Sequence, residues 1–155
     1  MEPIGIIQSP FTRIENMPIQ PVGATDITGS VLIHEPFAEG LKDLDGFSHI
    51  YLIYLFHKCE KTSLRVVPFL DTVERGVFAT RSPRRPNHIG LSIVELLKVE
   101  GRELFIKGVD ILDQTPLLDI KPYIEAFDAV DNSTSGWMKN RASEVAQKRS
   151  DDRFR

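Results

Sequence analysis

The chain has a single cysteine, Cys59, among 155 residues. That excludes an intrachain disulfide and any cysteine-built zinc cluster, and it fits a reducing compartment. Its four histidines, His34, His49, His57 and His88, are scattered without metal-ligand spacing, so no metal is expected. No apolar run approaches the ~20 residues that a spanning helix needs. The longest, Ile50 to Phe56, is strand-sized. The first residues lack the basic and apolar regions of a signal peptide. These absences point to a cytoplasmic protein with no membrane role. No Gly-x-Gly-x-x-Gly, no phosphate-cradling Gly-Lys-Ser/Thr and no Gly-x-Ser-x-Gly elbow occurs. Internal repeats and low-complexity tracts are absent as well. The net charge of -3 argues weakly against a nucleic-acid coat. Yet residues 139–155 hold six Lys/Arg against three Asp/Glu, so this tail carries +3 and the remainder -6. Local patches, more than net charge, decide contact with phosphate.

What is present is an ordinary globular composition, 41% apolar and 26% charged, in a length that suits one domain. Strands are expected at Ile4–Gln8, Thr28–Glu35, Phe47–Lys58, Leu64–Leu70 (an edge, because of Pro68), Arg75–Thr80, Ile89–Leu97, Leu104–Leu112 and Leu117–Tyr123. Glu100-Gly101 marks a hairpin turn. Pro36–Leu44 places Phe37, Leu41 and Leu44 at helical spacing behind a leading proline, which predicts one short amphipathic helix. Asn132–Ser135 offers capping residues for a helix over 137–148. Seven or eight strands with so little helix predict an all-β fold. A closed or nearly closed β-barrel is the natural form, because closure removes exposed edges. Residues 1–130 form the barrel domain and 131–155 a basic helical tail.

Two proline-punctuated segments hold most of the chemistry. Gly76-Val-Phe-Ala-Thr-Arg-Ser-Pro-Arg-Arg-Pro-Asn87 carries three arginines within five residues. Asp110-Ile-Leu-Asp-Gln-Thr-Pro-Leu-Leu-Asp-Ile-Lys-Pro-Tyr123 carries three aspartates, a lysine and a tyrosine. Proline stiffens both, which lowers the entropy lost when charged side chains are held for a ligand. Arg81, Arg84 and Arg85 are forked donors suited to phosphate or carboxylate. His57-Lys58 closes the most apolar strand. It is either a half-buried histidine beside a surface lysine or the rim of a barrel mouth, where ligand pockets lie. Asp110 reads as a local turn former. The Asp113–Pro116 turn has amides and carbonyls that can line a pocket. Asp119 and Lys121 lie two apart on a strand, share a face, and read as an ion pair. The residues alone thus give a rigid β-domain with a basic and an acidic loop bordering one pocket, and name no reaction.

Those two segments, with Ile89-Gly-Leu-Ser92, Gly46-Phe-Ser-His49 and Phe56-His57, closely resemble the TsaA-like (TrmO) family from about Ile4 to Asp128. The resemblance implies a small β-barrel that binds S-adenosyl-L-methionine, forms a homodimer, and acts on tRNA. Characterised bacterial members methylate the exocyclic nitrogen of threonylcarbamoyl-adenosine next to the anticodon. It implies cofactor contacts at Gln20, Pro21, Val22, His57, Lys58, Arg81, Leu91, Ile111, Leu112, Asp113 and Gln114. Arg84, Arg85, Asn87 and Lys121 become candidates for the RNA side, and Asp113, Asp119 and Tyr123 for the base that takes the proton. The competing readings are an S-adenosylmethionine enzyme with another acceptor and a non-catalytic cofactor- or RNA-binding module. Two departures stand out: Gln114 replaces the usual glycine, and the basic tail stands where better-known members carry a further domain.

Overall fold

The computed structural model describes residues 1–139 and 141–151. Its strands are β1 (Gly5–Gln8), β2 (Thr28–Ile33), β3 (His49–Leu55), β4 (Arg65–Val66), β5 (Arg75–Gly76), β6 (Ile89–Glu100), β7 (Glu103–Lys107) and β8 (Thr115–Pro122). Six of them close an antiparallel barrel in the order β1-β2-β7-β6-β3-β8, and β8 returns to β1. The expectation of a small closed β-barrel holds. The strand count divides differently: β4 and β5 form a separate two-stranded sheet. Pro68 follows close behind β4 and supplies no amide, so the ladder there cannot lengthen. The strand expected to reach Leu112 stops at Lys107, because Gly108 turns the chain at φ +87.

Period-2 alternation places the core. Ile50, Leu52 and Tyr54 of β3 face inward, as do Gly90, Ser92, Val94 and Leu96 of β6. Ile7, Val31, Ile33, Leu104, Ile106 and Leu117 complete a filled interior. The β3–β8 register shifts at Ile53/Tyr54, so Leu118 is the extra residue of a bulge. That bulge turns Asp119 and Lys121 to the outer face. The segment expected to be an amphipathic helix is a 3-10 helix, Glu35–Leu41. Phe37, Leu41 and Leu44 still pack on the core as their spacing implied.

After the barrel come α1 (Glu125–Asp128) and α2 (Ala142–Val145), with a 3-10 turn at Gly136–Met138 between them. The helix expected over 137–148 is therefore present only as single turns. Its apolar residues are too sparse to bury one continuous face. The tail nevertheless docks. Val145 is buried, the Trp137 indole donates to the Ala79 carbonyl at 2.8 Å, and Ser150 exchanges backbone hydrogen bonds with Met17 and Asn16. Asp71 ties β4–β5 to this tail. Its buried carboxylate pairs with Arg75 at 2.7 Å and Arg141 at 3.3 Å, and accepts from the Thr72 amide at 2.8 Å. Burial alone pushes its pKa up. The Arg75 hydrogen bond and the Val73 and Thr72 amides outweigh that and bring it to about 2.

Candidate functional site

The inward side chains change character along the barrel. At one end they are aliphatic: Ile50, Val94, Leu96 and Ile106. Toward the other mouth they become Tyr54, Gly90, Ser92 and Thr115. Tyr54 and Gly90 are cross-strand partners. A Cβ on Gly90 would sit 2.2 Å from the Tyr54 ring, so only glycine lets that ring lie across the mouth. Above this polar rim four loops converge, contributing Met17–Gln20, Phe56–Cys59, Thr80–Arg85 and Asp110–Leu112. They enclose a cavity of about 370 Å³, within the roughly 300–1,000 Å³ of small-molecule pockets.

The pocket floor is a hydrogen-bonded chain. Ser92 Oγ donates to Asp110 Oδ1 at 2.7 Å. That uses the hydroxyl's only proton, so Tyr54 OH, 3.1 Å away, is the donor to Ser92 Oγ. Burial pushes the Asp110 carboxyl up to about 6, and the Ser92 bond, its own amide and the Arg81 charge keep it from rising further. Burial, and then the Asp110 charge, raise the Tyr54 phenol, which stays protonated. On the opposite wall Thr115 Oγ1 donates to the Leu112 carbonyl at 2.6 Å. His57 Nδ1 lies 3.3 Å from Thr115 Oγ1, whose proton is already used, and must therefore carry the proton in the neutral ring. His57 Nε2 is then left as an acceptor. Burial and the adjacent Lys58 lower the His57 pKa, so the ring is neutral at pH 7.

Arg81 Nη1 donates to Gln20 Oε1 across the top. This pair separates the pocket from a second cavity of about 840 Å³, lined by Pro21, Val22, Phe78, Trp137 and Lys139 among others. Arg85 donates to the Thr80 and Val77 carbonyls at 2.7 and 3.2 Å and fixes the arginine loop from within. Both cavities are built from segments far apart in sequence. Barrel closure assembles the first, and the docked tail completes the second.

Of the expected cofactor contacts, Gln20, His57, Lys58, Arg81, Leu91, Ile111 and Leu112 line the first pocket, and Pro21 and Val22 the second. Asp113 and Gln114 lie just behind the lining. The Asp113 carboxylate accepts from the Ser9 amide at 3.0 Å, and Gln114 Nε2 approaches it at 3.4 Å. Gln114 holds a left-handed φ of 60, the conformation a glycine there adopts without strain. Arg85 lines the pocket, while Arg84 and Asn87 sit on the adjoining loop. Lys121 pairs with Asp119 at 3.0 Å on the outer face of β8, with both side chains largely exposed. Tyr123 packs on His49 and Tyr51, at the end of β3 away from the pocket. Asp110 is the pocket residue that the local turn reading passed over. The signal for it was Ser92, a polar residue at an inward position of an otherwise aliphatic strand.

Residues 6–129 match the family described as the tRNA-methyltransferase O N-terminal domain. The chain belongs to that family. The crystal structure of TrmO from Pseudomonas aeruginosa superposes with a TM-score of 0.73 at 39% identity, covering 87% of this chain and 60% of that one. A Pyrococcus abyssi protein named as a probable S-adenosyl-L-methionine-binding protein is 49% identical over 152 residues, 98% of this chain and 83% of its own. The Homo sapiens tRNA (adenine(37)-N6)-methyltransferase is 37% identical over 138 residues, 84% of this chain and 31% of its own. This TrmO-family chain thus spans 60% of the Pseudomonas protein and under a third of the human one.

Proposed function

We propose that this TrmO-family chain is an S-adenosylmethionine-dependent tRNA methyltransferase. The acceptor on this reading is N6 of threonylcarbamoyl-adenosine beside the anticodon. The observation that carries the reading is the gathering of Gln20, His57, Lys58, Arg81, Leu91, Ile111 and Leu112 around one cavity. They come from five separate stretches of chain. The cavity's chemistry fits an amino-acid nucleoside: an apolar wall, the Arg81 guanidinium for a carboxylate, and the Asp110 carboxylate for a cation.

When bound, S-adenosylmethionine supplies a methyl group already activated by a sulfonium. What the protein adds is alignment, which can contribute on the order of 7–11 kcal/mol to such a transfer. The Gln20–Arg81 pair stands between the two cavities and would set the line from donor to acceptor. On this reading the arginine loop, with Arg84 and Asn87 on it and Arg85 bracing it from within, lies on the RNA side. Removing the N6 proton would help by roughly 100- to 10,000-fold. Of the three expected proton acceptors, Asp113 borders the pocket through its neighbour Leu112. Asp119 and Tyr123 would require the nucleotide to reach down the outside of the barrel.

A homodimer and a cytoplasmic setting complete the proposal. The outer face of β6 supports the dimer, with Leu91, Ile93 and Leu97 exposed on it around Glu95. Among the described residues no helix is long and apolar enough to cross a membrane. Incubation with threonylcarbamoylated tRNA and labelled S-adenosylmethionine, followed by mass analysis of digested nucleosides, tests the reaction. A methyl increment on that nucleoside is expected. Cofactor binding with no methylated nucleoside would instead favour another acceptor.

A further inference from the structure

Asp110 is a carboxylate in a mostly apolar pocket, and the protein offers it little compensation. Ser92 supplies one hydrogen bond, its own amide another, and the Arg81 charge acts on it without pairing. The charged groups that share the cavity are His57, Lys58, Arg81 and Arg85. Among the described residues none of them forms an ion pair with Asp110. Arg81 is directed to Gln20, and Arg85 to the Thr80 and Val77 carbonyls. A half-buried charge in an apolar pocket without a close partner is costly, and folds keep one where a ligand completes it. The Tyr54–Ser92–Asp110 chain fixes the carboxylate's orientation from below, so it is preorganised toward the cavity. A merely structural acceptor for Ser92 would not need a charge.

We infer that Asp110 is a subsite for a positively charged centre of the ligand, and that it makes the pocket prefer a cationic donor over its neutral demethylated product. This rests on the reading that the pocket takes S-adenosylmethionine. That donor carries a fixed positive charge on sulfur, and the thioether product does not. The two molecules share their ammonium and carboxylate groups, so a preference set by Asp110 singles out the sulfur. Such a subsite would also favour release once the methyl has gone.

The test is calorimetric titration of the full chain with S-adenosylmethionine, S-adenosylhomocysteine and sinefungin, in which an amine replaces the sulfonium. Wild-type protein is expected to bind the two cationic ligands more tightly than S-adenosylhomocysteine. In Asp110→Asn that ratio should collapse by about tenfold or more, while S-adenosylhomocysteine affinity changes little. Loss of all three ligands in equal proportion, or an unchanged ratio, overturns the inference. If the variant fails to fold, the wild type still decides: on lowering the pH from 8 to 5, the preference for the cationic ligands should shrink. The same titration of His57→Gln isolates Asp110, because a protonated imidazole in this cavity would oppose a cation as well. A ratio flat across that range overturns the inference too. Failure of wild-type protein to bind S-adenosylmethionine at all would instead remove the function proposed above.

Discussion

Replacing Asp110 with asparagine should make the ligand-free protein more stable, and by an amount that depends on pH. The carboxyl rises from 3.8 to about 6 on folding, chiefly through burial. At about 1.4 kcal/mol per tenfold change in proton affinity, the ionised form costs the fold roughly 3 kcal/mol above pH 7. The sign follows from the proton count. Between pH 4 and 6 the folded state holds the proton more tightly than the unfolded chain, so wild-type stability falls as pH rises through that window. Asparagine has no such proton, yet its Oδ1 can still accept the Ser92 hydroxyl. The stability gap between variant and wild type should be small at pH 4, about half complete by pH 5 and full above about pH 7. For a chain of this size each kcal/mol moves Tm by roughly 2–4 °C, so the gain at pH 8 should reach several degrees and at most about 12 °C. Thermal denaturation followed by circular dichroism, without ligand, at pH 4, 5, 6 and 8 measures it. A variant less stable than wild type at pH 8, or an offset that ignores pH, would refute the reasoning.

Gly90→Ala forces a Cβ to within 2.2 Å of the Tyr54 ring; we expect a loss of about 1–3 kcal/mol in urea denaturation together with weaker S-adenosylmethionine binding, and unaltered binding would contradict the placement of Tyr54 at the pocket mouth. Gln114→Gly relieves a left-handed φ of 60, a conformation costing roughly 1–2 kcal/mol for a residue with a Cβ, against about 0.5–1 kcal/mol of added chain entropy. The net expectation is a neutral to slightly higher Tm, and a drop would mean that the Gln114–Asp113 contact matters more than the backbone. Asp71→Asn removes the charge that holds Arg75 and Arg141, so trypsin should cleave the tail sooner than in wild type; equal protection at pH 7 would show that the tail docks without it. In the wild type the same anchor, with its pKa near 2, should hold above about pH 4 and weaken only as pH falls toward 2.

Much of the barrel was legible because alternation and turn chemistry are local. The inward row of β6 and the aromatic run of β3 identify their own faces. The arginine and aspartate loops announced a site through proline density and charge. Three things were not legible. β4 and β5 leave the barrel, and nothing local to Arg65–Val66 says with which strand they pair. The bulge at Leu118 sends Asp119 and Lys121 outward, a register event visible only across strands. Asp110 looks like any turn aspartate until β6 brings Ser92 to 2.7 Å from it. Family resemblance reached residues that line the two cavities, but the partnership of Asp110 with Ser92 and Tyr54 joins residues 18 and 38 positions apart, which no local pattern encodes.

The docked tail carries the chain's single indole. Trp137 bonds to the Ala79 carbonyl, has the Arg75 guanidinium 5.5 Å from its ring centre, and faces the second cavity. Its emission therefore has one source and one location. Detachment of the tail, or arrival of a stacking base in that cavity, would each shift or quench the same spectral band, so the native protein reports optically on the rim of its own cleft without any attached dye.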